Sequence, residues 1–258
     1  MSGSIPFDRA AEFYDQTRSI SDEAMARSVE LLSGELAGRG RVLEIGVGTG
    51  LLAIPLVERG LDVTGIDLSG PMLRRLVEKA GGAAFPLILG DATRLPFRDG
   101  SFGAAYLRWV LHLVAGWREL VREVVRVVPP GGVFLVNLGA YGAEWVQLQE
   151  RFADLVGISV EPVGLDWGDY ENLDLELRSL GARSRELPPV REDTTQPLRV
   201  FLDGIAESRF SWTWGVSEAE RVRAHAELVP WARDRFGDLD EERRWRHDTR
   251  WRAYDLAP

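Results

Sequence analysis

The sequence predicts an α/β protein built on a mostly parallel sheet with helices on both faces, and two features of the chain support this prediction. Between residues 41 and 138, short apolar stretches of strand length alternate with longer stretches of helical periodicity, the order that right-handed βαβ units produce. A turn with three glycines follows the first of these stretches, where sheets of this kind commonly bind nucleotides. The 258 residues are enough for one such domain with an elaboration, or for two small domains.

Residues 1–38 are predicted to be helical. Ser21 has the side chain of an N-cap, and Asp22 and Glu23 follow it in the first turn, where negative charge is favourable. Gly38 is typical of a helix C-terminus. The apolar residues at helical spacing between these ends are Met25, Val29, Leu32 and Leu36.

Five strands and three helices are predicted in the alternating region. The strands are RVLEIG, DVTGID, AFPLILGD, SFGAAYLRW and GVFLVNLG. The helices are LLAIPLVERG, GPMLRRLVEKAGG and WRELVREVVRVV, the last of which is broken by PPGG at residues 129–132. Pro71 suits the first turn of the second helix, whereas Pro55 is a misfit inside the first helix because it removes a helix hydrogen bond.

Beyond Gly139 the strand–helix rhythm is lost. Four stretches are predicted to be helices: EWVQLQERFADLV, DLELRSLGA, LRVFLDGIAESRF and EAERVRAHAELVPWARDRF. RSRELPPVRE is predicted to be extended, and the alternating RRWRHDTRWRAYDL is predicted to form one final strand. Because there are no repeats and no clean linker, the simplest interpretation is a single domain over residues 1–258, with the alternating core at 39–138 and helical insertions within 139–258.

The composition argues against several kinds of site and partner. The formal charge is −9 and the pI is near 5.0, which disfavours binding of nucleic acid through its phosphates. The absence of cysteine excludes disulfides, zinc–thiolate sites and a cysteine nucleophile, and three scattered histidines without ligand spacing predict no metal site. No apolar run has transmembrane or signal-peptide character, which predicts a cytoplasmic protein without a membrane partner.

Residue usage has two interpretations. Lys79 is the only lysine, and Asn and Gln are scarce. The shortage of Asn, Gln and Cys fits a thermophilic source, but a GC-rich genome would give much of the same bias.

The glycine turn, EIGVGTG at residues 44–50, separates three classes of ligand site. A dinucleotide-binding dehydrogenase needs G-x-G-x-x-G, but Leu51 stands where its third glycine would be. A P-loop needs G-x-x-x-x-G-K-[ST], and no lysine is near. Glycine at every second position lets the backbone pack against a ligand, and the acid at Glu44 suits a cationic amino-acid end better than a phosphate.

With these residues, VLEIGVGTG resembles motif I of the class I S-adenosylmethionine-dependent methyltransferases, and further motifs of that family follow in order. VTGIDLS ends its strand at Asp67, LGDATRLPF contains Asp91, and FGAAYLRWVLHLV contains His112 in the family's usual histidine position. VVPPGGVFLV resembles the stretch before the family's fifth strand.

The N-terminal FYDQTR, with Tyr14 and Arg18, resembles the Y-D-x-x-R segment of the branch that contains ubiquinone/menaquinone-type and related small-molecule methyltransferases. The resemblance extends from about residue 7 to 138. It has two departures: Gly103 stands where an Asp is common, and Pro129 stands where a Lys is common.

The resemblance implies a Rossmann-like, seven-stranded, mostly parallel sheet, a helical N-terminal lid over residues 1–38, and substrate-side helical insertions near the C-terminus. It implies S-adenosyl-L-methionine as cofactor, with S-adenosyl-L-homocysteine as product. Asp67 would hold the two ribose hydroxyls, Asp91 would face the adenine, and Tyr14 with Arg18 would close over the methionine end. The residues implied to contact the cofactor are Tyr14, Arg18, Glu44, Gly46, Val47, Gly48, Gly50, Asp67, Leu68, Met72, Asp91, Ala92, Leu107 and Arg108.

Several of these residues also have a simpler structural interpretation. Asp67 could end its strand in solvent, Asp91 could cap the next turn, and Glu44 could bond to turn amides. Arg18 could pair with Asp15 or Asp22 on a surface helix. Two tryptophans beyond the core, Trp212 and Trp214, fit either a substrate pocket or helix packing.

The expected function is methyl transfer to a small-molecule acceptor by a monomer or homodimer. His112 is the candidate catalytic base by its position, although its apolar neighbours fit a partly buried structural histidine at least as well. Two alternatives stay open. One is an RNA or protein methyltransferase on the same core, and the other is an S-adenosylmethionine-binding protein without catalysis.

Overall fold

The computed structural model describes residues 4–15, 21–139 and 142–257. The chain falls into two compact units. The first, called the sheet unit, comprises Met1–Gly139, Pro162–Val190 and Asp248–Pro258, and the second, called the helical unit, comprises Ala140–Glu161 and Arg191–His247. That both belong to one domain stays a prediction from the sequence.

The strands build one large sheet and one small sheet. In the described residues they are β1 Val42–Ile45, β2 Val63–Asp67, β3 Leu87–Leu89, β4 Ala104–Arg108, β5 Val133–Asn137, β6 Ala182–Glu186, β7 Val190–Gln196, β8 Arg243–Thr249 and β9 Arg252–Leu256. The large sheet has the order β3-β2-β1-β4-β5-β9-β6, and β7 pairs with β8. The first five strands are parallel, and β9 runs antiparallel to both β5 and β6. The predicted α/β fold with a seven-stranded, mostly parallel sheet is therefore confirmed.

Helices cover both faces of the large sheet. The α-helices of the described residues are α1 Asp22–Leu36, α2 Ala53–Glu58, α3 Gly70–Lys79, α4 Trp117–Val127, α5 Ala143–Val156, α6 Tyr170–Ser179, α7 Leu198–Ala206 and α8 Glu218–Phe236. Alternate strand residues such as Leu43 and Phe134 pack against α4 and α6. Their strand neighbours, such as Val42 and Val133, pack against α1, α2 and α3. The near-continuous apolar runs of the central strands follow from burial on both faces.

The helix boundaries follow from local chemistry. The Ser21 hydroxyl accepts a hydrogen bond from the Ala24 amide, and the Ser69 hydroxyl accepts one from the Met72 amide, each at 3.2 Å. Pro55 is the third residue of the six-residue α2. The Ile54 amide donates to the Gly50 carbonyl and the Leu56 amide donates to the Leu52 carbonyl, each at 3.1 Å, and Pro55 has no N–H for the bond between them. Pro55 therefore removes one helix hydrogen bond, as expected, at the N-terminal end of α2.

The C-terminal alternation contains two strands, where one was predicted. The chain breaks at residues 250–251, so that β8 joins the small sheet and β9 enters the large one between β5 and β6. RSRELPPVRE divides in the same way, because Pro188 and Pro189 lack the N–H that would continue a ladder. Apolar and polar residues alternate with the same period in strands of either sheet. The sequence pattern alone therefore does not show where the chain leaves one sheet and enters the other.

The helical unit has a core of its own, built from apolar side chains of α5, α7 and α8. Trp212 stacks on Phe210 with ring centroids 5.4 Å apart and an interplanar angle of 3°. The Trp214 indole N–H donates to the Ser208 carbonyl at 3.1 Å. Both tryptophans therefore take part in packing, the second of the two interpretations. Across the described residues, none of the helices combines the length and apolar character that a bilayer crossing requires.

Candidate functional site

A cavity lies in the sheet unit at the carboxyl ends of the parallel strands. It contains about 810 Å³ of empty space, open solvent at its mouth included. Its walls come from the segments that follow β1, β2, β3 and β4, from residues 4–7 and Tyr14, and from Trp167. Because β1 lies between β2 and β4, this is the switch point at which open α/β sheets bind their ligands.

The glycine turn forms one wall of this cavity. Gly46, Gly48 and Gly50 have φ angles of +68°, +53° and +77°, a region that costs side-chain-bearing residues about 1–2 kcal/mol. A Cβ on Gly46 would lie 2.5 Å from Val110 Cγ2. The turn therefore presents bare backbone to the cavity, and there is no room at Gly46 for a side chain.

Asp67 ties the glycine turn to the end of β2. Its Oδ2 accepts a hydrogen bond from the Gly48 amide and its Oδ1 accepts one from the Ser69 amide, both at 2.8 Å. Burial raises the pKa of Asp67 above its ordinary value, although these two N–H groups oppose the rise. The carboxylate lines the cavity and is not a solvated strand end.

Most of the residues singled out from the sequence meet in this cavity. Those that line it are Tyr14, Gly46, Gly48, Asp67, Leu68, Met72, Asp91, Ala92, Arg108 and His112. Asp91 also caps the following turn, because its Oδ1 accepts from the Thr93 amide at 2.9 Å. The capping interpretation of Asp91 therefore holds, and its contact with the adenine stays a prediction. Arg18 lies outside the described residues, and its contact stays a prediction.

Four predicted contact residues lie behind the wall. The Val47 side chain fills the space over Gly65, where an added Cβ would lie 2.9 Å from Val47 Cγ2. Gly50 packs against α3, since a Cβ there would lie 2.9 Å from Leu76 Cγ. Leu107 and Glu44 are buried in the strands. Glu44, Val47, Gly50 and Leu107 therefore support the cavity wall from behind, and their contact with the cofactor stays a prediction.

Glu44 is a buried acid beneath the glycine turn. Strand register places it opposite Tyr106 of β4, and the Tyr106 hydroxyl donates to Glu44 Oε2 at 2.7 Å. Burial raises the pKa of Glu44 to about 8, and the hydrogen bond from Tyr106 opposes this rise. The side chain is therefore largely protonated near neutral pH.

Replacing Glu44 by glutamine should remove a pH dependence of stability. The folded-state pKa of about 8 exceeds the ordinary value of 4.5, so the folded protein keeps a proton that the unfolded chain has lost. As the pH rises from 4.5 to about 8, the unfolding free energy of the wild type should fall relative to that of Glu44→Gln, by up to about 1.4 kcal/mol per pH unit. Above about pH 8 the difference should level off. Urea unfolding of both proteins across this range measures the difference. Parallel stability curves would contradict the assignment.

The N-terminal segment is attached to the cavity rim by Asp15. Its Oδ1 accepts a hydrogen bond from the Thr49 hydroxyl of the glycine turn, and its Oδ2 pairs with Lys79 Nζ at 2.7 Å. The Ile5 amide donates to the Leu113 carbonyl at 3.0 Å. These contacts hold residues 4–7 and Tyr14 in the cavity wall.

Breaking the Asp15–Lys79 pair should loosen this segment. Both side chains are about one-third exposed. A double-mutant cycle with Asp15→Asn and Lys79→Met should therefore give a coupling of about 0.5–1 kcal/mol in the free energy of unfolding. Chymotrypsin should cleave at Phe7 or Phe13 faster in Lys79→Met than in the wild type. The matched control is Arg75→Met on the same helix, where the exposed pair with Glu78 does not involve the segment. Equal cleavage of all three proteins would contradict this role of Asp15.

The other end of the cavity, on the β4 side, is aromatic. Trp109 follows β4 with an unusual φ of +59°, and the Arg108 guanidinium lies over its ring at 4.2 Å. The His112 ring lies against Trp167 with centroids 3.6 Å apart. The lining residues that the sequence did not single out are Ser4, Ile5, Pro6, Phe7, Ile45, Ile66, Gly90, Trp109, Val110, Leu113, Val114 and Trp167. Gly90 and Trp109 lie inside the quoted motif stretches LGDATRLPF and FGAAYLRWVLHLV, so their membership of a motif was an available signal.

Within the described part of the chain, no group of three or more His, Cys, Asp or Glu side chains is arranged to hold a metal ion.

Known proteins resemble the chain at the level of sequence. A profile described as a methyltransferase domain matches residues 43–136. The chain is 35% identical over 133 residues to the demethylmenaquinone methyltransferase of Renibacterium salmoninarum, covering 50% of this chain and 55% of that protein. It is 30% identical over 213 residues to the demethylmenaquinone methyltransferase of Clavibacter sepedonicus, covering 71% of this chain and 83% of that protein. In the first alignment the chain spans little more than half the length of its relative.

The fold also matches solved structures. The YcgJ protein of Bacillus subtilis superposes with a TM-score of 0.63 at 17% identity, over 92% of this chain and 100% of that one. At this identity the likeness shows the fold alone. Together with the profile match and the Clavibacter alignment, it leads to one conclusion. The chain belongs to the class I S-adenosylmethionine-dependent methyltransferases, in their ubiquinone/menaquinone-type branch, a family whose cofactor is S-adenosyl-L-methionine.

Proposed function

We propose that the protein is an enzyme that transfers a methyl group from S-adenosylmethionine to a small-molecule acceptor. The observation that carries the proposal is the Asp67 carboxylate, held at the cavity wall by the amides of Gly48 and Ser69 at 2.8 Å. A carboxylate has about four lone-pair sites, so these two amides leave acceptor capacity for neighbouring hydroxyl donors. That capacity suits the hydroxyls of a ribose.

The surroundings of Asp67 fit the rest of the cofactor. The bare backbone at Gly46 lets a ligand approach closely, since a side chain there would overlap Val110. Leu68, Met72 and Ala92 give the cavity an apolar side next to Asp91, which suits a purine ring with polar edges. Tyr14 lies in the wall contributed by the N-terminal segment, where it would cover the amino-acid end.

The chemistry divides between the cofactor and the chain. S-adenosylmethionine supplies a methyl group on a sulfonium sulfur, so that an acceptor atom bonds to the methyl carbon as the carbon–sulfur electron pair returns to sulfur. The chain must hold the acceptor atom in line with the methyl carbon–sulfur bond and exclude water from the site. His112, buried in the cavity wall, is the candidate group to take a proton from the acceptor where the acceptor carries one.

The acceptor class that we favour is a planar aromatic molecule of the quinone type. Phe7 and Trp109 line the cavity, and flat aromatic surfaces favour stacked or edge-on aromatic partners. The names of the Renibacterium and Clavibacter relatives, demethylmenaquinone methyltransferases, support the same class.

The test follows a labelled methyl group. The protein is incubated with methyl-labelled S-adenosylmethionine and, in separate reactions, reduced demethylmenaquinone, a bacterial small-metabolite extract, bulk RNA and bulk protein. We expect label in the first two reactions, with Asp67→Ala as the inactive control. Label in RNA or protein alone would replace the proposal with the macromolecular alternative. No label in any reaction, with S-adenosylhomocysteine still bound, would indicate a non-catalytic binding protein.

A further inference from the structure

Trp167 is a lining residue that reaches the cavity from beyond the motif-bearing core. Among the described residues that form the wall, it alone comes from beyond Gly139. It lies in the sheet unit, in the loop before α6. None of the sequence motifs includes it.

The Trp167 loop is bonded to the turn that carries His112. The Gly164 amide donates to the His112 carbonyl at 3.2 Å, and the Leu165 amide donates to the Leu111 carbonyl at 3.0 Å. The approach is so close that a Cβ on Gly164 would lie 2.0 Å from the Leu111 carbonyl oxygen. Because these bonds join the two backbones directly, the loop and the His112 turn are held as one piece.

The two side chains are in contact across this junction. The ring centroids of His112 and Trp167 lie 3.6 Å apart, with their planes inclined by 33°. His112 is 8% exposed, so the indole shields one face of the imidazole. A ring held by a flat neighbour keeps fewer orientations than one that faces open space.

Trp167 is itself held in place. Gly139 has a φ of +78°, and a Cβ there would lie 2.8 Å from Trp109 Cδ1 and 3.1 Å from Trp167 Cζ3. Only a glycine lets both indoles approach the end of β5. Asp166 Oδ1 accepts a hydrogen bond from the Trp167 amide at 2.8 Å. This bond fixes the backbone of the loop at Trp167.

We propose that Trp167 is a positioning residue, which holds the His112 imidazole in the orientation that the acceptor meets. The proposal rests on the proposed function, because it gives His112 a task at the acceptor end. It predicts that Trp167 acts on turnover through His112 and has no part in binding the cofactor.

The first test is structural and needs no turnover. The chain has three histidines, so proton NMR resolves three imidazole Cε1–H signals, and His112→Ala identifies one of them. Stacking on an indole moves that signal upfield. In Trp167→Leu it should return towards the position of an unstacked histidine, whereas Trp167→Phe should keep most of the displacement. Trp231→Leu, in α8 of the helical unit, is the matched control and should leave the signal unchanged.

The second test is kinetic, with reduced demethylmenaquinone and the labelled metabolite extract as probes. Trp167→Leu should lower kcat roughly 10- to 100-fold, with Trp167→Phe restoring most of it. The affinity for S-adenosylhomocysteine should stay within about twofold of the wild type. In a His112→Ala background, Trp167→Leu should cause no further loss, because two residues that act as a unit are not additive.

The outcomes separate this proposal from the proposed function. A wild type without methyl transfer refutes the proposed function, whatever the NMR signal shows. An active wild type with equal kcat in Trp167→Leu, or with full additivity in the double variant, refutes the positioning role alone. An unmoved His112 signal in folded Trp167→Leu refutes the stack. If the leucine variant does not fold, Trp167→Met supplies the same comparison.

Discussion

Asp67→Ala is expected to weaken the binding of S-adenosylmethionine by roughly 2–4 kcal/mol. Two ribose hydroxyls would lose a charged acceptor in a partly desolvated site. The same change removes the acceptor of the Gly48 amide, which holds the glycine turn against β2 at 2.8 Å. Both losses act in the same direction. Isothermal titration with S-adenosylmethionine and with S-adenosylhomocysteine measures the change.

The control for this variant lies just before the same strand. Asp62 is an exposed acid just before β2, outside the cavity wall, so Asp62→Ala should change the binding free energy by no more than about 0.5 kcal/mol. Asp67→Asn keeps one acceptor oxygen and should fall between the wild type and Asp67→Ala. A loss below about 0.5 kcal/mol in Asp67→Ala would mean that another group holds the ribose.

The second large effect is expected at Gly103, just before β4. A Cβ at this position would lie 1.6 Å from the Arg39 carbonyl oxygen and 2.8 Å from its carbonyl carbon. Backbone atoms cannot move aside as the end of a flexible side chain can. Gly103→Ala should therefore lower the unfolding free energy by more than about 4 kcal/mol, measured by urea unfolding.

Gly34→Ala is the matched control for this substitution. Gly34 lies inside α1, and nothing would stand within 4 Å of a Cβ there. Alanine should raise the unfolding free energy by up to about 1 kcal/mol, because it is the better helix former. A Gly103→Ala protein within about 1 kcal/mol of the wild type would show that the segment around Arg39 gives way more easily than its packing suggests.

Gly103 also shows what a family resemblance leaves out. An Asp is common at this position in the family's motif, whereas this chain has a glycine. In this chain the Arg39 carbonyl occupies the space of a Cβ, and the Gly103 amide donates to the Arg41 carbonyl at 2.9 Å. The residue type follows from a packing arrangement that the sequence pattern does not encode.

The parts of the site that the sequence predicted share one property: each is local. The glycine turn, Asp67 and Asp91 each lie at or just beyond the carboxyl end of an apolar strand, and parallel strands bring these ends to one edge. Glu44 was predicted to touch the ligand because it belongs to the same motif. Its buried partner, Tyr106, is set by strand register, which a single sequence does not reveal.

The parts that were missed depend on distant contacts. Ile5 reaches the cavity through a hydrogen bond to Leu113, more than 100 residues later in the chain, and Trp167 reaches it through a loop bonded to the His112 turn. Neither segment has a periodic pattern or a motif. The division of the C-terminal alternation into β8 and β9 was missed for a related reason, since both halves alternate with the period of a strand.

The central claim is that the cavity beside the glycine turn binds S-adenosylmethionine, and isothermal titration calorimetry tests it most directly. The protein is titrated separately with S-adenosylmethionine, S-adenosylhomocysteine and NAD, and each titration is repeated with Asp67→Ala. We predict binding of both S-adenosyl ligands, weakened in the variant, and no binding of NAD, because Leu51 stands where a dinucleotide site needs glycine. Tight NAD binding without binding of either S-adenosyl ligand would contradict the claim.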